Sequence, residues 1–146
     1  MVLGATKVIA VASPDDDLTT YVSGIAGQAQ DFTFANTALT NDDYISNVRI
    51  TIRNKGTSAG QIARMVLTAG ASGSLQNLTQ AVGWTSDTYD HTTAPFLGDW
   101  NPTRLNAMNV TIYPEGGTLD VTTVFATVTF VTGGKVGGKL TTVGVG

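Results

Sequence analysis

The segment Tyr44-Ile-Ser-Asn-Val-Arg-Ile-Thr-Ile-Arg53 restricts the fold more than any other part of the chain. Tyr44, Val48, Ile50 and Ile52 fall on one side of a period-two pattern, and Asn47, Arg49, Thr51 and Arg53 fall on the other. A helical period would spread both sets around a cylinder, so the pattern predicts a strand with one apolar and one wet face. An apolar face of this kind requires a second layer to cover it.

The same period returns further along. In Gln61 to Ala69, Ala63, Met65 and Leu67 alternate with Arg64 and Thr68; in Asn106 to Tyr113, Met108, Val110 and Ile112 alternate with Asn109, Thr111 and Tyr113. Thr118 to Thr132 places Val124, Ala126, Val128 and Phe130 together, with Phe125 and Val131 among threonines on the opposite face, which predicts a central strand. Gln28 to Phe34 puts Phe32 and Phe34 on one face, and Thr6 to Ala12 reads as a first strand stopped by Ser13-Pro14-Asp15-Asp16-Asp17. Asn54-Lys55-Gly56-Thr57 predicts a turn that folds the first of these strands into a hairpin with Gln61 to Ala69. Leu75 to Val82 fits a short strand or a single helical turn equally. Trp84 to Arg104 shows neither period while gathering both tryptophans, Tyr89, Phe96 and the single histidine, so it is predicted to be a long structured loop.

Composition narrows the class further. Charged residues make up only 13% of the 146, too few for the wet faces of long helices, and Thr, Val, Gly and Ala dominate instead. The expected fold is one all-β domain over 1–146, an antiparallel β-sandwich of immunoglobulin-like or jelly-roll-like kind. Residues 1–11 and the glycine-rich 133–146 form possible terminal arms. No cysteine is present, so neither disulfides nor thiolate metal sites contribute. A net charge of −3 with eight scattered basic residues argues against nucleic acid as a partner. The opening residues lack the order of a secretion signal and no apolar run approaches the roughly 20 residues of a membrane span, so the expected partners do not include a membrane.

The chemistry to be expected is sparse. His91 is the only imidazole, and no Gly-x-Ser-x-Gly elbow accompanies it. Asp87, Asp90 and His91 form a carboxylate-imidazole set of the type that ligates a metal, but the preferred reading is of turn caps in a solvated loop. Asp15-Asp16-Asp17 lacks the spacing of a calcium loop, and Gly133-Gly134-Lys135 lacks that of a phosphate loop. No catalytic residue, metal ligand or cofactor is assigned on this basis. Trp84, Tyr89, Phe96 and Trp100 could stack sugars as a platform, but the ordinary and preferred reading is a small core that pins their loop to a sheet.

Two resemblances add to this reading. Val48-Arg-Ile-Thr-Ile-Arg-Asn-Lys-Gly-Thr57 resembles the strand, turn and onward strand of immunoglobulin-like domains in prokaryotic surface and viral proteins, which implies a fold only. The chain as a whole is similar in style to small virion proteins of tailed phages, notably capsid decoration or cement proteins. That resemblance implies a non-enzymatic subunit on a capsid surface, self-associating as a trimer or other small oligomer and clamping coat subunits of a lattice. Its contacts would include Val8 and Ile9 in one arm, Val136, Leu140 and Val143 in the other, and the rings of Trp84, Tyr89, Phe96 and Trp100. The alternative is a carbohydrate-binding or adhesive β-sandwich module, extracellular or on a cell surface, using the aromatic loop 84–104.

Overall fold

Among the described residues, nine strands build two antiparallel sheets, with one short helix beside them. The computed structural model describes residues 22–34, 36–56, 63–70, 73–79, 81–95, 98–131 and 138–143. The elements are β1 (Val22–Ile25), β2 (Gln30–Thr33), β3 (Tyr44–Gly56), β4 (Ala63–Ala69), β5 (Gly73–Leu78), β6 (Thr85–His91), α1 (Pro102–Asn106), β7 (Met108–Pro114), β8 (Thr118–Val131) and β9 (Gly138–Val143). The predicted strand at Thr6, the arm 1–11, Asp15 to Asp17, Phe96, Val136 and the Gly133-Gly134-Lys135 triplet lie outside the described residues. Among the described residues no helix is long and apolar enough to cross a membrane.

One sheet runs β1-β8-β3-β6, with β9 also on β8; the other runs β2-β7-β4-β5. The β-sandwich follows from the alternation. Val48, Ile50 and Ile52 of β3 and Val124, Ala126 and Val128 of β8 are buried from one side, and Phe32, Met65, Leu67, Val110 and Ile112 from the other, in one apolar core. β8 is central, as its two-sided apolar pattern predicts: β3 pairs with it along one edge, while β1 and β9 share the other end to end. Residues 138–143 of the expected C-terminal arm are thus a strand of the chain's own sheet, with Leu140 opposite Thr129 and Val143 opposite Ala126.

Three expectations are corrected. Tyr44 does not share the buried face of Val48: a register shift between Ile45 and Asn47 brings Ile45 inward, 1% exposed, and leaves Tyr44 57% exposed. β3 and β4 do not form a hairpin, because they lie in different sheets; β3 runs on through Gly56 with Asn54 fully buried, where a turn was expected. The segment 84–104 is not all loop, since Thr85–His91 is the strand β6 on the edge of the five-stranded sheet and Pro102–Asn106 is a helix. Polar residues on both faces of this edge strand hid its period. The helix starts where Asn101 accepts the Arg104 N–H at 2.9 Å and Pro102 follows at the first turn.

Candidate functional site

Of the rings singled out from the sequence, Trp84, Tyr89 and Trp100 are among the described residues and take different roles. Trp100 is 3% exposed, and its Nε1–H donates to the carbonyl of His91 at 2.8 Å, so this ring pins the end of β6 from beneath. Tyr89 lies on the inner side of β6 opposite Ile50, half-buried against the core, and its hydroxyl donates to the carbonyl of Asn77. Burial, with Asp87 nearby, pushes its phenol up to about 12. Trp84 carries the Lys55 ammonium 4.9 Å from its ring centre. Trp100 and Tyr89 thus take the pinning role that the small-core reading gives them, and Phe96 lies outside the described residues.

The suggested metal set comes apart. Successive residues of a strand point to opposite faces, so Asp87 and His91 turn inward while Asp90 turns outward. Asp87 accepts from Asn54 Nδ2 at 2.9 Å and from the Thr79 N–H at 3.0 Å. Asp90 takes a bidentate pair from Arg49 at 2.8 and 3.0 Å and a third hydrogen bond from Asn47 at 2.8 Å. Arg49 and then Asn47 hold its carboxyl below the usual carboxylate range. Among the described residues no three His, Cys, Asp or Glu side chains are grouped to hold a metal ion.

A different surface is concave and open. On the outer face of the four-stranded sheet, Tyr113 of β7 stands opposite Arg64 of β4, and Val66 of β4 stands opposite Leu75 of β5. Leu75 is 52% and Tyr113 39% exposed, which puts two large apolar side chains in water on a rigid sheet. Gly73, beside them, is needed for space: a Cβ there would lie 2.6 Å from Val66 Cγ1.

Two turns build a wall at one end of this face. Gly27 has φ +85°, a conformation glycine adopts without strain, and its N–H donates to the Pro114 carbonyl at 3.2 Å. Gln28 closes the same turn, its N–H donating to the Ile25 carbonyl at 3.0 Å and its Oε1 accepting from the Ile25 N–H at 3.1 Å. From the other turn, Glu115 Oε1 approaches Arg64 Nε at 3.1 Å, each side chain about two-fifths exposed. That contact is an ion pair without hydrogen-bond alignment, so the shielded Arg64 Nε–H has no acceptor in line. Gly27, Gln28, Arg64, Leu75, Tyr113 and Glu115 thus surround a cleft of about 450 Å³.

Chemically the cleft offers a ring, two aliphatic side chains, a guanidinium, a carboxylate and an amide within one concavity. Such a set suits a ligand with apolar faces and many hydroxyls. Sequence reasoning placed Tyr113, Arg64 and Val66 on strands without singling them out. The signal available was that Tyr113 continues the polar side of β7 with a large ring.

No family model and no curated protein matches the chain. Among solved structures, one named "Family 16 Carbohydrate Binding Module-2" is similar with 13% identity and a TM-score of 0.43, covering 88% of this chain and 84% of that one. Another, named "BiXyn10A CBM1 APO", is similar with 9% identity and a TM-score of 0.41, covering 73% of this chain and 87% of that one. Both names are those of carbohydrate-binding modules and neither is that of a phage protein. The expectation of a capsid decoration subunit, with its virion and phage attributes, is corrected accordingly.

Proposed function

We propose that this chain is a glycan-binding β-sandwich module whose ligand lies across the outer face of the four-stranded sheet. The observation that carries the reading is the pairing of exposed Tyr113 and Leu75 with the Arg64–Glu115 ion pair and Gln28 in a single cleft. A pyranose presents a flat face of C–H groups, which the Tyr113 ring covers at low entropic cost, and an equator of hydroxyls. Charged and amide groups fix such hydroxyls by hydrogen bonds that specify orientation.

Binding rather than hydrolysis is supported by the count of acids. Glycoside hydrolysis by the common routes takes two carboxyl groups flanking the bond, and Glu115 is the single carboxylate among the described residues lining the cleft. A module of this kind acts extracellularly or at a cell surface.

The test is a screen of immobilised and soluble glycans by array and titration calorimetry, with Tyr113→Ala as control. The expected result is saturable binding that falls tenfold or more, on the order of 1.4 kcal/mol, in the variant while its melting temperature holds. Binding that survives Tyr113→Ala unchanged, or a chain that binds no glycan at all, overturns the reading.

A further inference from the structure

A second cleft, of about 350 Å³, opens at the edge of the sandwich between β1 of one sheet and β2 of the other. Its floor is apolar, with Phe32, Ile112, Leu119 and Val121, and its rim carries the polar side chains of Gln28 and Gln30. The space exists because of Gly24. Its neighbour Ser23 turns outward, where its hydroxyl donates to Asp120 at 2.7 Å, so position 24 faces inward, opposite Leu119, with no side chain to fill the gap. A Cβ at 24 would meet Pro114 Cγ at 3.4 Å, ordinary contact, so the gap is open to a side chain and is not forced by crowding.

Gln28 and Pro114 line both this cleft and the cleft on the outer face. The two are neighbours across one turn. The outer cleft lies on an open sheet, which a chain crosses in either direction. The edge cleft runs in between the two sheets over a floor that includes buried Phe32 and Leu119 and is the more enclosed of the two, a shape that suits the end of a polymer better than its middle.

Resting on the glycan-binding reading above, we infer that the two clefts form one bipartite site that recognises the end of a saccharide chain. The terminal sugar enters above the apolar floor with its hydroxyls on the Gln28 and Gln30 amides, and the next sugars pass over Gln28 to Tyr113. An amphipathic ring suits an apolar floor with an amide rim better than either a hydrocarbon or an ion does.

The experiment uses titration calorimetry on the full chain with a dimer-to-hexamer series of β-linked glucose oligomers, and with whichever other oligomer series the glycan screen identifies. Each is measured untagged, tagged with a bulky group at the reducing end, and tagged at the non-reducing end. Wild type is expected to gain tenfold or more in affinity along the series, and one of the two tags is expected to abolish that gain. Gly24→Leu, which fills the edge cleft, is expected to bind long oligomers no better than short ones while keeping wild-type affinity for the shortest. Gln30→Ala, which leaves the strand pairing intact, serves the same purpose should Gly24→Leu melt early, with a several-fold loss confined to long oligomers. Affinities indifferent to both tags and to both variants, alongside a large loss in Tyr113→Ala, overturn the chain-end inference and leave the glycan-binding reading standing. Absence of any glycan binding in wild type overturns both.

Discussion

The two outer faces of this sandwich are built from the same alternation and end up with opposite characters. On the five-stranded sheet, polar side chains largely satisfy one another: Asp90 with Arg49 and Asn47, Lys55 with Asp120 at 3.5 Å, Ser23 with Asp120, and Thr51 close to Thr88, with Asn47 Oδ1 left without a partner. Its exposed ring, Tyr44, stands at the far end of β3, while Phe125 is half-buried in the middle. On the four-stranded sheet Tyr113, Val66 and Leu75 interrupt the polar pattern, two turns rise as a wall, and Arg64 keeps a donor without an aligned acceptor. A surface whose donors and acceptors are mostly consumed internally has little differential affinity to give a ligand, because most new bonds displace an old one. A surface with exposed rings and spare donors gains on both counts.

The largest expected effect tests what lies beneath the first face. Trp100→Ala removes a nearly fully buried indole and its hydrogen bond to the end of β6, and chemical denaturation should show a loss of about 3–5 kcal/mol. A loss below about 1 kcal/mol would mean that β6 does not depend on this anchor.

Asp87→Ala comes next. It leaves the Thr79 N–H and the buried Asn54 amide without their acceptor, at an expected cost of about 1–3 kcal/mol with glycan affinity of the folded protein unchanged. Set beside Tyr113→Ala, which should lose ligand and keep stability, it forms a double dissociation. Either variant acting on both quantities breaks the contrast between a self-satisfied face and an available one.

A smaller effect is expected from pH. His91 is buried with Nε2 unpartnered, and burial holds its pKa below 6.5, against a weaker opposing pull from Asp90. Above 6.5 neither the folded nor the unfolded state binds the proton. As pH falls below 6.5 the unfolded state takes it up first, so stability should drop between 6.5 and the lowered folded value and then level off. A His91→Gln variant should flatten that limb of the melting-temperature profile. The same slope in both proteins would assign it to other groups.

The smallest effect should come from Arg49→Ala. Its ion pair with Asp90 is half-exposed, and salt and water screen such pairs, so no resolvable change in melting temperature is expected. A clear destabilisation that disappears in high salt would show that the ladder on the five-stranded face is cooperative.

How much of this was legible in the sequence varies by element for physical reasons. β4, β7 and β8 were readable because their buried positions are mostly apolar, despite buried Thr111, Thr122 and Thr123, and Ala63, Met65, Leu67, Val110 and Ile112 all lie at 0–1% exposure. β6 was not, because an edge strand can carry Thr, Asp and Tyr inward where its neighbours' polar groups receive them. The failed hairpin between β3 and β4 has a different cause: a glycine and an asparagine mark a change of direction equally whether the chain turns within one sheet or crosses to the other. The candidate site was invisible because its parts come from the β1–β2 turn, β4, β5, β7 and the β7–β8 turn, and only the pairing register brings them together.

The sharing of one edge of β8 by β1 and β9 has a mechanical consequence. Val22 pairs opposite Val121 and Val143 opposite Ala126, five positions apart on the same strand, so the two points lie about 17 Å from each other. A tether pulled between them loads one seam of hydrogen bonds and leaves the four-stranded layer slack.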